Sequence, residues 1–231
     1  MKANFAGSMS SVTRKEGVTM FKNIIWDVDG TLFDTYPAIA SAYVAAMKDL
    51  GKEVPAGRVF DMAKISLNFC VASLSAEYQV NPEDIDRAFD QHYDRVRPED
   101  QPPFPGVKEI CEYITVIGGR NVIVTHRGRD GLEELLTAYS MSHLFAGSVT
   151  RDDGYPRKPD PAAFDAALRM HALSTAETLT VGDRGIDIQA GQKAGVFTCL
   201  FGGGSGEVKP DLVISSYDEL LRFLREQAAQ G

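Results

Sequence analysis

Six short apolar runs, spaced by segments of helical periodicity, restrict this chain to one broad architecture. The runs are Asn23–Val28, Asn121–Thr125, Leu144–Val149, Thr178–Gly182, Val196–Phe201 and Asp211–Ser215. Several are apolar on both faces, as strands buried inside a parallel sheet must be. Between them lie amphipathic stripes: Val107, Ile110, Cys111, Ile114 and Ile117; then Leu132, Leu135, Leu136 and Tyr139; then Phe164, Ala167 and Leu168. Parallel neighbours need a crossover, and a helix of this kind supplies it. The alternation therefore predicts an α/β fold, a Rossmann-like open parallel sheet with helices on both faces.

One interval breaks the alternation. From about Tyr36 to Gln101 no strand pattern occurs. Ile39, Tyr43, Met47 and Leu50 fit one helix, Arg58–Lys64 a short one, and Leu67–Tyr78 another. Ile85, Ala88, Phe89, His92 and Val96 fit a last one after the start signal Asn81-Pro82. The interval ends in the stiff, proline-rich "RPEDQPPFPG". Residues 36–102 thus read as a small α-helical domain inserted into a sheet domain built from 20–35 and 103–231. Residues 1–19 are polar, aperiodic and without the apolar core of a signal peptide. They read as a disordered tail or upstream remnant, with the folded chain opening at "MFKNIIW". "FGGGSGEVKP" (201–210) reads as a flexible loop.

In open parallel sheets, ligands gather outside the carboxyl ends of the strands. The first run, "NIIWDVDGTLFDT", ends in Asp27 and Asp29. "NVIVTHR" ends in Thr125, and "TLTVGDRGID" in Asp183, with Asp187 four residues on. In "RKPDPAAF", Lys158 stands before a helix that Asp160 can cap and Pro161 can open. Several carboxylates, a hydroxyl and one cation would share one rim. Clustered carboxylates repel, and a hard divalent cation such as Mg²⁺ is the natural compensation. A lysine beside that cation suits an anion touching both, and phosphate is the obvious one. Singly, each residue has a plain reading. Asp29-Gly30 is turn chemistry, Lys158 a solvated lysine, and Asp187 an acid in a first helical turn. Together they require four coincidences on one rim.

"DVDGTLFDT", "VIVT", the lysine of "RKPDP" and "VGDRGID", in that order between Phe21 and Leu224, resemble the four motifs of the haloacid dehalogenase superfamily. The helical insertion resembles the cap of the branch containing phosphoglycolate phosphatase and β-phosphoglucomutase. The resemblance implies Asp27 as nucleophile, Asp29 as acid and base, and Thr125 and Lys158 as phosphoryl-binding groups. It implies Mg²⁺ held by the Asp27 carboxylate, the Asp29 main-chain carbonyl and Asp183, with Asp187 acting through water. Gly30, Thr31, His126 and Arg127 are candidate substrate-binding residues. Gly30 also permits the sharp turn, and Thr31 is placed to orient Asp29. Asp34 reads as part of the hinge. Arg184 stands where many relatives have a small hydroxyl residue, and a phosphate contact and a salt bridge are both open to it. The stretch Ala63–Ser75 is expected to carry specificity residues, with Leu67 and Phe69 equally readable as core.

The leading function is a Mg²⁺-dependent phosphatase acting on a small phosphorylated metabolite, with phosphoglycolate as default. A sugar phosphomutase on the same scaffold is the alternative, and a non-catalytic binding module would need a motif residue to be missing. Asp29 disfavours dehalogenase and phosphonoacetaldehyde hydrolase chemistry, which lack that acid, and so disfavours Lys64 as a Schiff-base lysine. Net charge is −8, from 24 basic and 32 acidic residues, which argues against a nucleic-acid surface. No apolar run is long enough to span a membrane. Cys70, Cys111 and Cys199 are scattered and unpaired by motif, as core thiols of a cytoplasmic protein would be. A monomer and a homodimer both remain open.

Overall fold

The computed structural model describes residues 20–203 and 208–229. The tail expected at 1–19 and part of the glycine-rich loop lie outside the described residues. All six strands form where the apolar runs predict, within two residues at each end: β1 (Asn23–Trp26), β2 (Arg120–Val124), β3 (Phe145–Val149), β4 (Thr178–Gly182), β5 (Phe197–Phe201) and β6 (Leu212–Ile214). They make one all-parallel sheet in the order β3-β2-β1-β4-β5-β6. β1 and β4 are buried throughout. The outermost strands β3 and β6 are buried only in part, because an edge strand has a neighbour on one side only.

The chain reverses its direction of travel across the sheet between β1 and β4, and there a crevice opens at the carboxyl ends. Trp26 pairs with Val181, and the Asp27 amide donates to the Val181 carbonyl at 3.0 Å. The first acid is thus fixed to the neighbouring strand by backbone alone. One face of the sheet packs Ile24, Trp26, Ile123 and Val181 with α5 (Val107–Val116), α6 (Arg129–Ala138) and α9 (Tyr217–Ala229). The other packs Ile25, Val122 and Val124 with α7 (Ala162–Met170) and Ala190 of α8 (Gly185–Lys193). No element is predicted after residue 215 from the sequence, yet α9 closes the sheet with Leu220 and Leu224 fully buried. Its Tyr217 hydroxyl donates to the Thr31 carbonyl at 2.7 Å, bracing the loop after β1.

The strand-free interval folds as α1 (Tyr36–Asp49), α2 (Ala56–Ile65), α3 (Leu67–Tyr78) and α4 (Pro82–Tyr93). Ile39, Tyr43, Met47, Val59, Cys70, Leu74, Ile85 and Phe89 make an apolar core belonging to these helices alone. Asn81 caps α4 by accepting from the Glu83 amide, as the Asn-Pro start predicts. Val96 falls outside α4. Leu67 and Phe69 are exposed, which removes the core reading for both; the buried face of α3 is Cys70, Val71 and Leu74. The two connections to the sheet run side by side. Asp34 N–H donates to the Pro102 carbonyl at 2.8 Å, and Phe104 N–H to the Leu32 carbonyl at 3.0 Å. Asp34 therefore stands at the paired crossing, where a hinge would be. All three cysteines are free and buried. Among the described residues no helix is long and apolar enough to cross a membrane.

Candidate active site

β1 delivers Asp27 into the crevice, and a tight turn folds the next residues back over it. Phe33 N–H donates to the Val28 carbonyl at 3.0 Å and Gly30 N–H to the Phe33 carbonyl at 2.9 Å. Gly30 has φ +78°, and a Cβ there would meet the Tyr36 ring and stand 2.6 Å from Asp183 Oδ2. The turn brings the Thr31 hydroxyl 3.4 Å from Asp27 Oδ2. Thr31 therefore faces Asp27 rather than Asp29, because the chain doubles back onto the strand end. Gly30→Ala is expected to cost about 1–2 kcal/mol from the left-handed backbone alone, with a further loss from the clash. Gly51→Ala is its control, with φ +73° and nothing within 4 Å of the added carbon. Urea unfolding of the two variants should show the larger loss at Gly30.

Lys158 is the electrostatic centre. Its ammonium donates to Asp27 Oδ1 at 2.6 Å and to Asp187 Oδ1 at 2.8 Å, and all three side chains are buried. Asp160 accepts from the Ala162 amide at the start of α7, so the corner that carries the lysine is capped as predicted. Asp187 spends its second oxygen on the Arg184 amide at 3.1 Å. Burial raises Asp187, but Lys158 and Arg184 outweigh it and hold this carboxyl below the usual range. At Asp27 burial wins. With Asp187 repelling and Lys158 only partly offsetting, it is pushed up to about 6. Asp183 is pushed up to about 8, by burial first and then by Asp187 and Asp27.

Asp183 takes one hydrogen bond, from the Tyr36 hydroxyl to Oδ2 at 2.9 Å. Its Oδ1 is buried and has no hydrogen-bond partner among the described residues. Asp27, Asp183 and Asp187 each offer an oxygen within 4.8 Å of the other two. Three close carboxylates, an orphaned buried oxygen and acids pushed upward describe a place short of positive charge. All the donors are hard oxygens, which suit Mg²⁺. Arg184 supplies part of the deficit, with Nε 3.8 Å from Asp183 Oδ1 and 4.0 Å from Asp187 Oδ2. The salt-bridge reading is met at these distances, and Arg184 Nε makes no hydrogen bond among the described residues, so the phosphate-contact reading stays open.

The second acid, on the same rim, is paired with a different cation. Arg127 Nε and Nη2 reach Asp29 Oδ1 at 3.2 and 2.5 Å. Burial raises Asp29, yet the Arg127 charge prevails and holds its carboxyl below the usual range. Arg127 Nη2 also donates to the Tyr93 hydroxyl at 2.8 Å and the Gln101 side-chain oxygen at 3.2 Å. The guanidinium is thus committed to protein partners. Thr125, at the end of β2, is buried and its hydroxyl accepts from the Arg127 amide at 3.0 Å. His126 Nε2 accepts from the Lys158 amide at 3.0 Å. Burial, then the Lys158 and Arg157 charges, push this imidazole down to about 3. His126 thus braces the lysine corner through the Lys158 backbone.

Every motif residue of the sequence reading reaches this one rim. Tyr36, Tyr93, Gln101 and Tyr217 join it without any sequence signal, since tyrosines at helix ends and a linker glutamine have no diagnostic spacing. His92 pairs with Asp49 at 2.7 Å, away from the rim.

The family model described as "Haloacid dehalogenase-like hydrolase" matches residues 24–201. A phosphoglycolate phosphatase of Aliivibrio fischeri is 30% identical over 218 residues, covering 88% of this chain and 96% of that protein. Among solved structures, a hydrolase from Streptococcus pneumoniae TIGR4 is 29% identical with a TM-score of 0.63, covering 89% of this chain and 98% of its own. A predicted phosphoglycolate phosphatase from Haemophilus somnus shares the fold at TM-score 0.75 and 24% identity, covering 88% and 97%.

Proposed function

This chain belongs to the haloacid dehalogenase-like hydrolase family, and from that membership we propose that it is a phosphatase hydrolysing a small phosphorylated metabolite through a phosphorylated Asp27. The observation that carries the proposal is the cluster of Asp27, Asp183 and Asp187 at the carboxyl ends of β1 and β4, with Lys158 bonded to Asp27 and Asp187. Asp27 and Asp183, with the main-chain carbonyl of Asp29, would hold Mg²⁺, and Asp187 would stand one layer out. When bound, Mg²⁺ would offset the carboxylate charges and the negative charge of a phosphoryl group.

The chain's own residues then divide the work. Asp27 attacks phosphorus, the ester P–O bond breaks, and the leaving oxygen takes a proton through Asp29. Asp29 is ionised at rest beside Arg127 and would first accept that proton from the P–OH of a monoanionic phosphate ester. Water next attacks the aspartyl-phosphate, giving its proton to Asp29 as the bond to Asp27 breaks. Lys158 and the Thr125 hydroxyl would bind phosphoryl oxygens, in a site whose donors are already fixed by burial. Helices α1–α4 would act as a cap over this rim, reaching it through Tyr36 and Tyr93. Residues 36–102 as cap, hinged at the paired crossing, would exclude water during transfer.

Phosphoglycolate is the first ester to test, since it is named for the Aliivibrio relative. Phosphate release should require Mg²⁺ and stop in EDTA. Independently of turnover, Mg²⁺ at about 100 times its Kd should stabilise the fold by about 2.7 kcal/mol in urea unfolding. Turnover in EDTA, with no Mg²⁺-dependent stabilisation, would overturn the metal assignment. Conversion of a sugar phosphate to its isomer without phosphate release would identify a mutase instead.

A further inference from the structure

Arg127 is one of the most committed side chains on the rim, and nothing in the phosphoryl chemistry above uses it. Its Nε and Nη2 both address the same atom, Asp29 Oδ1. No described residue makes a hydrogen bond of normal geometry to Asp29 Oδ2; the neighbouring Thr35 hydroxyl, which helps to hold the Asp29 carboxyl down, is itself without such a bond among the described residues. On its far side, Nη2 is held by Tyr93 at the end of α4 and by Gln101 in the returning connection, and Tyr93 itself donates to Gln101 at 2.8 Å. The Arg127 side chain is only 11% exposed. A guanidinium with partners on both sides has few rotamers left, so it fixes the carboxyl that it grips.

From this geometry we infer that Arg127 is a positioning residue. It pins Asp29 by one oxygen so that the other faces the crevice as the base for water, and it is itself set in place by Tyr93 and Gln101 from the helical insertion. The inference rests on the proposed role of Asp29. In the second half-reaction, a water O–H bond breaks as its oxygen bonds phosphorus. The proton passes to Asp29 Oδ2, and the P–O bond to Asp27 breaks. A carboxylate free to rotate would meet that water in the right pose only part of the time. Because two of the three anchors come from the insertion or its linker, base placement would depend on the insertion being seated on the sheet.

The two half-reactions can be read separately with p-nitrophenyl phosphate and Mg²⁺, because nitrophenolate leaves with little need of an acid. Rapid mixing reports the first turnover, and the later linear phase reports hydrolysis of the phosphoenzyme. Arg127→Gln is expected to keep the first turnover within about threefold while the linear phase slows about 100-fold, in the range of a lost base. A burst approaching one nitrophenolate per enzyme should appear, and KM should fall with kcat. Arg127→Lys should recover at least about tenfold of the linear phase, since it restores a donor and the charge.

Equal slowing of both phases, as a loosened fold would give, overturns the inference. If Arg127→Gln does not fold, Tyr93→Phe decides the matter. Loss of one hydroxyl should slow the linear phase selectively by about threefold to tenfold, and an unselective loss refutes the link. Asp29→Asn separates this inference from the reading beneath it. If Asp29→Asn accumulates phosphoenzyme and Arg127→Gln does not, only the positioning role falls. If neither Asp27→Asn nor Asp29→Asn impairs turnover, the phosphatase mechanism falls as well.

Discussion

Asp27→Asn is expected to lower kcat by about 10⁴-fold or more while leaving the protein at least as stable as the wild type. The activity loss follows from the role of the oxygen that would bond phosphorus, for which an amide is no substitute. The stability expectation follows from the site's electrostatics. Asp27 is buried, faces Asp187 across the same ammonium, and is pushed up to about 6. An amide of the same shape removes that repulsion and leaves Lys158 its bond to Asp187 at 2.8 Å. The folded protein holds a proton on Asp27 more tightly than the unfolded chain does. Wild-type stability in EDTA should therefore fall, relative to Asp27→Asn, as the pH rises from about 4 through about 6. Urea midpoints of the two proteins across that window check the sign. A variant that is inactive because it is unfolded, or one that keeps wild-type turnover, would contradict the assignment.

Lys158→Met should be the more damaging change to the fold. It removes the ammonium from between two buried carboxylates that have no other cation in hydrogen-bonding range among the described residues, the nearest being Arg184 at 4.0 Å from Asp187. Breaking a buried ion pair from one side costs about 3–5 kcal/mol, because the remaining charge is left uncompensated. Turnover should be lost with it, since the same ammonium is the proposed phosphoryl ligand. The test is a double-mutant cycle by urea unfolding. Adding Asp27→Asn to Lys158→Met should recover part of the lost stability by removing one stranded carboxylate. Strict additivity of the two changes would mean that the 2.6 Å contact carries no coupling.

The two variants separate what the site does from what holds it together. Burial and Asp187 disfavour the charged form of Asp27 where it stands, and the proposed chemistry would account for its place. Lys158 serves both ends. Strain at functional positions is the expected cost of gathering like charges. Gly30 adds to it, since only a residue without Cβ fits between Tyr36 and Asp183.

Much of this molecule is legible in its residues taken in order. Two-faced apolar runs identify buried strands, and six were recoverable with short errors at their ends. Acids at the ends of such runs are locally anomalous, so Asp27, Asp29 and Asp183 stand out before any fold is known. The stripe of Tyr217, Leu220 and Leu224 is equally periodic, so α9 was within reach of the same reasoning. Other features were not. Motif chemistry alone points Thr31 towards Asp29, yet it lies against Asp27, because a turn's path is set by backbone hydrogen bonds that side-chain chemistry does not announce. Leu67 and Phe69 are apolar yet exposed, and composition alone does not say which face of a helix meets a partner.

By itself, then, the sequence determined the alternation of strand and helix, the interruption after β1 and the residues able to do chemistry. Those are properties of periodicity and local composition. The tertiary structure alone decided the strand order β3-β2-β1-β4-β5-β6 and the partners of each charged group. Lys158 meets Asp27 across 131 positions of chain, and Arg127 meets Asp29 across 98. Hydrophobic periodicity states that a surface will be buried but not against what. Charge pairing in a low-dielectric interior is settled only when packing has brought the groups within a few ångströms.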